Sequence, residues 1–205
     1  MANPYGPFST GSVPDSFLMP IEDIFNVKHR GVVVTGRIER GTVHVGDAVE
    51  IVGIKEPGRQ AVIRELEMFR KVLTVAQAGN SVGCLLQGIS TTDLERGQVL
   101  ASIGSIRAYK KFSAQVRIYT KEEGGRHTPF FDGYRPNIHI RSVDIPGLVK
   151  LPDGMSMGIP GQSFEMEIEL SMPVALEAGT TFVFREGGRP VGSGICTRLD
   201  DTSPY

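Results

Sequence analysis

The chain has 205 residues, of which 40% are apolar, and a formal net charge of −1. That length and apolar share suit one large or two small domains with a true core, which excludes a wholly disordered chain. The near-neutral charge excludes a global basic field, so any contact with nucleic acid must come from a local patch.

The first residues, MANPYGPFSTG, are rich in Pro, Gly and small side chains and read as a flexible leader over residues 1–15. Ser16 to Met19 and Ile21 to Val27 read as short strands broken at Pro20, and Glu22 and Asp23 point to opposite faces if that segment is extended. Gly31 to Gly53 (GVVVTGRIERGTVHVGDAVEIVG) is the stretch around which the first unit is organised. It reads as two strands joined by a Gly-bounded turn, and Gly36 inside the first strand marks a bulge or a close backbone approach. Lys55 to Arg59 is a loop, Ala61 to Met68 a strand, Phe69 to Lys71 a turn, and Ser81 to Gln87 another strand. Thr92 and Glu95 fit a capping box with Gly97 as the stop, which predicts a single helical turn. Val99 to Ser102 closes this unit, and Gly104 to Ala108 is the candidate boundary.

Beyond it the pattern restarts. Phe112, Ala114, Val116 and Ile118 alternate with polar residues, and Phe164, Met166, Ile168 and Leu170 alternate with glutamates, the signature of strands with one wet face. The glutamates read as a solvated sheet face that discourages edge pairing. Asn137 to Ile145, Val149 to Leu151, Thr181 to Arg185 and Val191 to Arg198 complete an all-β unit. The expected fold is therefore all-β, two tandem small antiparallel β-barrels over residues 16–105 and 108–200, with a tail at 201–205. EGGR occurs twice, at Glu123 to Arg126 and Glu186 to Arg189. It reads either as two hairpin turns with surface arginines or as loops that aim N–H groups and an Arg at a phosphate or carboxylate.

No apolar run approaches the roughly 20 residues of a membrane span, and no signal-peptide pattern opens the chain, so no membrane partner is expected and the location reads as cytoplasmic. Cys84 and Cys196 stand in apolar stretches and read as buried free thiols of a reducing compartment, a disulfide between them being possible but unsupported. His29, His44, His127 and His139 show no metal-ligand spacing, so no metal is expected. There is no nucleophile–base–orienter set, so an enzyme in its own right is the weakest of the function classes.

Several segments carry a family resemblance: PIEDIF at Pro20, RGVVVTGRIERG at Arg30, LEMFRK at Leu66, RGQVLA at Arg96, EGGRHTPFF at Glu123, GYRP at Gly133 and REGGR at Arg185. In this order they resemble the second and third domains of bacterial elongation factor Tu, over roughly Ser16 to Leu199. The sequence contains no G-x-x-x-x-G-K-[ST] and no Asn-Lys-x-Asp, so GTP and magnesium would belong to a GTPase domain that this sequence does not include, and this chain is expected not to be an enzyme.

The resemblance implies an RNA-binding translation module that takes part in protein biosynthesis. Its first barrel would hold the 3′ end of aminoacyl-tRNA through Glu22, Asp23, Phe25, Val27, Glu67, Phe69, Arg70 and Leu85. Phe25, Val27 and Leu85 suit a wall for the terminal base, Glu67 a ribose hydroxyl and Arg70 the terminal phosphate. Its second barrel would face the T stem, or the GTPase domain, with Arg126, His127, Thr128, Asn137, Arg185, Glu186 and Gly187. The implied partners are aminoacyl-tRNA, the GTPase domain, a nucleotide exchange factor and the ribosome, and no DNA. Asn80-Ser81, Asn137, Pro146 and Val27 depart from the residues usual in the family. The rival reading is a stand-alone paralogue that binds a protein partner or a pocket-directed antibiotic.

Overall fold

The computed structural model describes residues 15–55 and 57–200, and almost every ordered element is a strand. Apart from Asp15, the expected leader lies outside the described residues, as does the tail. The first unit contains β1 (Leu18–Pro20), β2 (Asp23–Val27), β3 (Gly31–Arg37), β4 (Thr42–His44), β5 (Ala48–Val52), β6 (Arg59–Met68), β7 (Lys71–Leu73), β8 (Val75–Gln77), β9 (Ser81–Gln87) and β10 (Val99–Ser102). Its main sheet runs β1-β10-β5-β6-β9-β3-β2 with antiparallel neighbours, β7 hanging on β6, and β4 and β8 forming a ribbon of their own.

The two ends of this sheet meet. Glu39 N–H donates to the Leu18 carbonyl at 2.9 Å, Leu18 N–H to Arg40 at 3.1 Å, and Glu22 N–H to Thr35 at 2.8 Å. The curled sheet encloses Met19, Ile21, Val34, Ile51, Ile63, Leu66, Cys84 and Leu100. Gly36 is what lets the ends come so close. A Cβ there would lie 2.0 Å from the Pro20 carbonyl oxygen, which is the close backbone approach its place inside a strand suggests.

The hairpin expected between Gly31 and Gly53 does not form. β3 pairs with β2 and β9, while β5 pairs with β6 and β10. The chain between them crosses the barrel through β4. Period-2 alternation fixes which side chains face inward, but it says nothing about which strand lies alongside. The helical turn is a 3-10 turn over Thr91–Asp93, set by Ser90 rather than Thr92. The Ser90 N–H and hydroxyl both donate to Asp93 Oδ2 at 3.0 Å, and these bonds hold the Asp93 carboxyl below its ordinary range.

The second unit contains β11 (Arg107–Ile118), β12 (Phe130–Phe131), β13 (Asn137–Ile140), β14 (Val143–Lys150), β15 (Met157–Gly158), β16 (Ser163–Leu176), β17 (Thr181–Glu186) and β18 (Arg189–Leu199). Six of them close a barrel in the order β11-β16-β14-β13-β17-β18, which leaves that sheet no open edge. The alternation in β11 and β16 buries Phe112, Ala114, Val116, Met166, Ile168 and Leu170. Phe182 packs edge-on against Phe112 and Phe184, with centroids 5.6 and 5.3 Å apart. The single strand expected over Asn137 to Ile145 is two strands, because the chain reverses at Arg141, in the left-handed region at φ 52°, and Ser142.

The barrels meet over a small apolar cluster of Leu18, Val52, Val99, Ala101, Ile106, Ala108 and Ala175. Arg141 crosses the join. Its Nη1 donates to the Ala175 carbonyl at 2.6 Å and its Nε to Glu39 at 3.0 Å, with the side chain only 7% exposed. Ser142 Oγ donates to the Ile21 carbonyl at 2.8 Å, and Val143 packs so closely on Gly97 that a Cβ there would meet it at 2.6 Å.

Cys84 and Cys196 are free, and burial pushes both thiols up to about 12. A raised folded-state value means the native chain holds those protons longer than the unfolded one. Their contribution to stability is therefore lost as pH climbs from about 9 towards 12. Ellman's reagent at pH 8 should find no reactive thiol in the folded protein and two in guanidinium. Gly36→Ala should lower stability by more than about 2 kcal/mol, whereas Gly46→Ala, where φ is +98° but no atom lies within 4 Å, should cost only about 1 kcal/mol. Thermal melts followed by circular dichroism distinguish the two.

Candidate functional site

On the outward face of β2, β3, β9 and β6 the register lines up side chains in rows. Phe25 stands opposite Val33, Val33 opposite Leu85, and Leu85 opposite Glu65. The next row runs Asp23, Thr35, Gly83, Glu67 and Val72. Val27 lies beyond, paired with Gly31. Neighbouring strands are ~4.8 Å apart, so Phe25, Val33 and Leu85 form an apolar shelf ~10 Å wide between Cα positions. Phe25 is 51% exposed, a costly placement for an aromatic ring.

Two glycines shape the shelf. Gly83 leaves the floor bare between Val33, Thr35 and Glu67, and Gly31 does the same beside Leu85. Carboxylates bound it: Asp23 and Glu67 on one row, and Glu65 at the end of the other. The β6–β7 turn reaches past it with Phe69 and Arg70 at φ 51° and 63°. Two consecutive non-glycine residues in the left-handed region are strained by roughly 1–2 kcal/mol each, and such strain tends to collect where a chain is held for a function. Phe69 is 86% exposed at the tip.

The residues predicted for the first barrel thus mostly gather. Asp23, Phe25, Val27, Glu67 and Leu85 share one face, and Phe69 and Arg70 form the turn beside it. Glu22 does not join them. It faces the other way from Asp23, as alternation requires, and lines a cleft of about 540 Å³ at the join of the barrels with Arg37, Glu39, Arg96, His139 and Arg141. Motif reasoning missed Val33, Thr35, Gly83 and Glu65, which the same face carries. The cross-strand register is what reveals them. It also missed Arg30, whose Nη2 donates to both Glu65 oxygens at 2.9 and 2.7 Å.

In the second barrel the two EGGR copies touch. Arg126 of the first forms an ion pair with Glu186 of the second. The Tyr134 hydroxyl donates to the same carboxylate at 2.6 Å, and the Arg126 guanidinium lies over the Tyr134 ring at 5.0 Å and the Phe130 ring at 5.9 Å. Burial, reinforced by the Glu186 carboxylate, drives the Tyr134 phenol well above its ordinary value. Glu123 of the first copy closes its own loop, accepting from Arg117 and from the Thr120 N–H. The second copy is a tight turn, with Gly187 and Gly188 at φ 53° and 81°. Of the two readings of EGGR, Arg126 meets a carboxylate, that of Glu186 within the barrel itself, while Arg189 is an exposed residue after a hairpin turn.

The remaining residues form an arc around this latch. Asn137 pairs with Arg185 across β13 and β17, Arg185 binds Asp144 at 3.2 Å, and His127, Thr128 and Gly187 are exposed. Asn137 also stands opposite Pro146, so two of the noted departures are cross-strand neighbours. No cluster of three His, Cys, Asp or Glu suited to a metal exists among the described residues, and no helix there is long and apolar enough to cross a membrane.

Residues 31–101 match the family model described as Elongation factor Tu domain 2, and residues 105–200 match the one described as Elongation factor Tu C-terminal domain. The shelf falls largely within the first matched segment and the Arg126–Glu186 latch within the second.

Tyr134→Phe should cost about 1 kcal/mol, the worth of one hydrogen bond whose partner stays half wet. It should also remove a late component from the alkaline absorbance titration of the tyrosines.

Proposed function

We propose that this chain, which belongs to the elongation factor Tu-like translation factors through its two matched barrels, holds the aminoacylated 3′ end of a tRNA on the β2–β3–β9–β6 face. The observation that carries the reading is the outward-facing row of exposed Phe25 and half-buried Val33 and Leu85, flanked by carboxylates and with Gly83 beside it. An apolar shelf of this width suits a stacked base, since every base has a face to lay against it. Glu67 and Asp23 lie where a ribose hydroxyl can donate, the contact that separates RNA from DNA. Arg70, on its strained turn, would pair with the terminal phosphate. The bare floor at Gly83 leaves room for the ester-linked amino acid.

The second barrel contributes through shape. Arg126 and Glu186 hold the β17–β18 turn and the 126–130 segment together, so that His127, Thr128, Asn137 and the Gly187 backbone meet a stem's sugar and phosphate groups. Such contacts read A-form geometry rather than sequence. In this reading the module works with a GTPase domain, an exchange factor and the ribosome, and its own part is binding rather than catalysis. GTP and magnesium lie outside it.

Titration of the protein with aminoacylated and deacylated forms of one tRNA tests the reading. The aminoacylated form should bind at least about tenfold more tightly, and equal affinity for the two overturns it. Phe25→Ala should weaken the aminoacylated complex by roughly tenfold, the value of a base-stacking contact, with little change in melting temperature because the ring is half-exposed.

A further inference from the structure

The second barrel carries two Asp-Gly pairs, Asp132-Gly133 and Asp153-Gly154, in turns of the same local form. The Tyr134 N–H closes the first by donating to the Phe131 carbonyl at 3.2 Å, and the Met155 N–H closes the second by donating to Pro152 at 3.0 Å. Both glycines lie in the left-handed region, at φ 82° and 83°. Neither has an atom within 4 Å of where a Cβ would stand, and all four residues are exposed. What differs is how the rest of the barrel holds them. Asp132 Oδ1 accepts from the Leu151 N–H at 2.8 Å, and the Gly133 N–H donates to the Val149 carbonyl at 3.0 Å. Carboxylate and following amide are thus pinned separately to the end of β14. The Asp153 carboxylate and the Gly154 N–H have no hydrogen-bond partner among the described residues, and the bond from Met155 to Pro152 is local to the turn.

An aspartyl–glycyl bond has a reaction of its own. The glycine nitrogen attacks the aspartate Cγ, a five-membered succinimide forms, and one water leaves. A water then opens the ring at either carbonyl. Opening at the side-chain carbonyl restores aspartate. Opening at the main-chain carbonyl gives isoaspartate, whose chain runs through Cβ and Cγ and whose free carboxylate sits on Cα. One water is lost and one regained, and nothing is oxidised or reduced. Glycine favours the attack because no Cβ shields its nitrogen. The carboxyl must swing onto the next amide while the backbone rotates at the aspartate, so a hydrogen bond on either group opposes ring closure.

We infer that Asp153 is a modification site at which the native protein forms isoaspartate spontaneously, while Asp132, in a turn of the same form, is protected. At Asp132 two bonds to other parts of the barrel must break before the ring can close. At Asp153 only the turn itself has to open, and exposed turns open far more readily than paired strands. The product adds one main-chain carbon between β14 and β15. Because β15 pairs only with β12, the change falls on a small ribbon and leaves the closed barrel intact.

The test ages the full chain at mildly acidic pH, folded in one sample and in guanidinium in the other. Peptides spanning each pair are then separated and assayed with an L-isoaspartyl methyltransferase and a labelled methyl donor. In the folded chain isoaspartate should accumulate at 153 at least about tenfold faster than at 132, the effect of two additional hydrogen bonds. In guanidinium, where those bonds are gone, the two rates should converge. Gly154→Ala should suppress the reaction at 153 in both samples and leave 132 unchanged. Absence of isoaspartate at 153 in the folded chain, similar folded-state rates at the two sites, or a bias towards 153 that persists in guanidinium overturns the assignment.

Discussion

The first barrel's candidate site depends on one constraint, the lateral register of four strands. Phe25, Val33, Leu85 and Glu65 lie abreast only because β2, β3, β9 and β6 pair as they do. The side-chain period is two, so a slip of one residue in any of these strands would turn its contribution inward. Burial holds the register. Val34, Cys84 and Leu66 are neighbours in the row beneath and are fully enclosed, so a slip of β3, β9 or β6 that turned Val33, Leu85 or Glu65 inward would drive the matching enclosed residue into water. The register shifts between Ile63 and Glu65, an irregularity that brings Glu65 rather than Arg64 opposite Leu85. A carboxylate thus reaches the outer face where unbroken alternation from Ile63 would have placed the arginine.

The join between the barrels places the first site relative to the second. Seven apolar residues alone would make a weak contact, but polar bonds, several of them partly buried, surround them. Arg141, Ser142 and Val143 all come from the β13–β14 turn and its outset, and all three engage the first barrel. From the other side, Ile54, itself at positive φ, donates its N–H to Pro173 at 2.7 Å. A guanidinium as enclosed as that of Arg141 could not slide or leave without losing its hydrogen bonds in a low-dielectric setting. The turn that split the expected strand at Asn137 to Ile145 is therefore also the piece that fixes the barrels to each other.

The sequence was most legible where alternation ran long. β11 and β16 are legible over 112–118 and 164–170, where inward and outward sets differ sharply in polarity, although Phe164 is only half-buried and Ser113 is buried. It was least legible where pairing had to be known. Gly31 to Gly53 contains two real strands, but their partners come from segments up to about fifty residues away, and no local pattern records that. The shelf was half legible. Motifs pointed to Phe25, Glu67 and Leu85, while Val33, Gly83 and Glu65 become visible only once the strands are laid side by side. Glu22 shows the opposite failure. It neighbours Asp23 in sequence and motif, yet the pleat sends it to the cleft beyond the shelf. The resemblance places Arg126 and Glu186 on an outward-facing surface, whereas in the fold they pair with each other and Arg126 lies over two aromatic rings.

Local choices in a folding sequence usually agree with one another, and the exceptions collect where something other than folding is served. In the second barrel several such choices are resolved internally: Tyr134 meets Glu186, Arg126 meets two rings, and Arg185 meets Asp144, although Phe131 stays 61% exposed. In the first barrel they are left open. Phe25 is half in water, Phe69 almost wholly so on a strained turn, Val72 is 69% exposed, and Glu67 lies among them. Scattered apolar residues on a surface need no explanation, but these occupy one face within a few strands of each other. Replacing Phe25 with a polar residue would cost the fold little, since a polar side chain at an outward position serves a barrel wall equally well. Under the function proposed above, its presence there, with the row of carboxylates beside it, corresponds to a ligand that has one flat apolar side and a hydrogen-bonding rim, as a nucleoside at the end of a strand has.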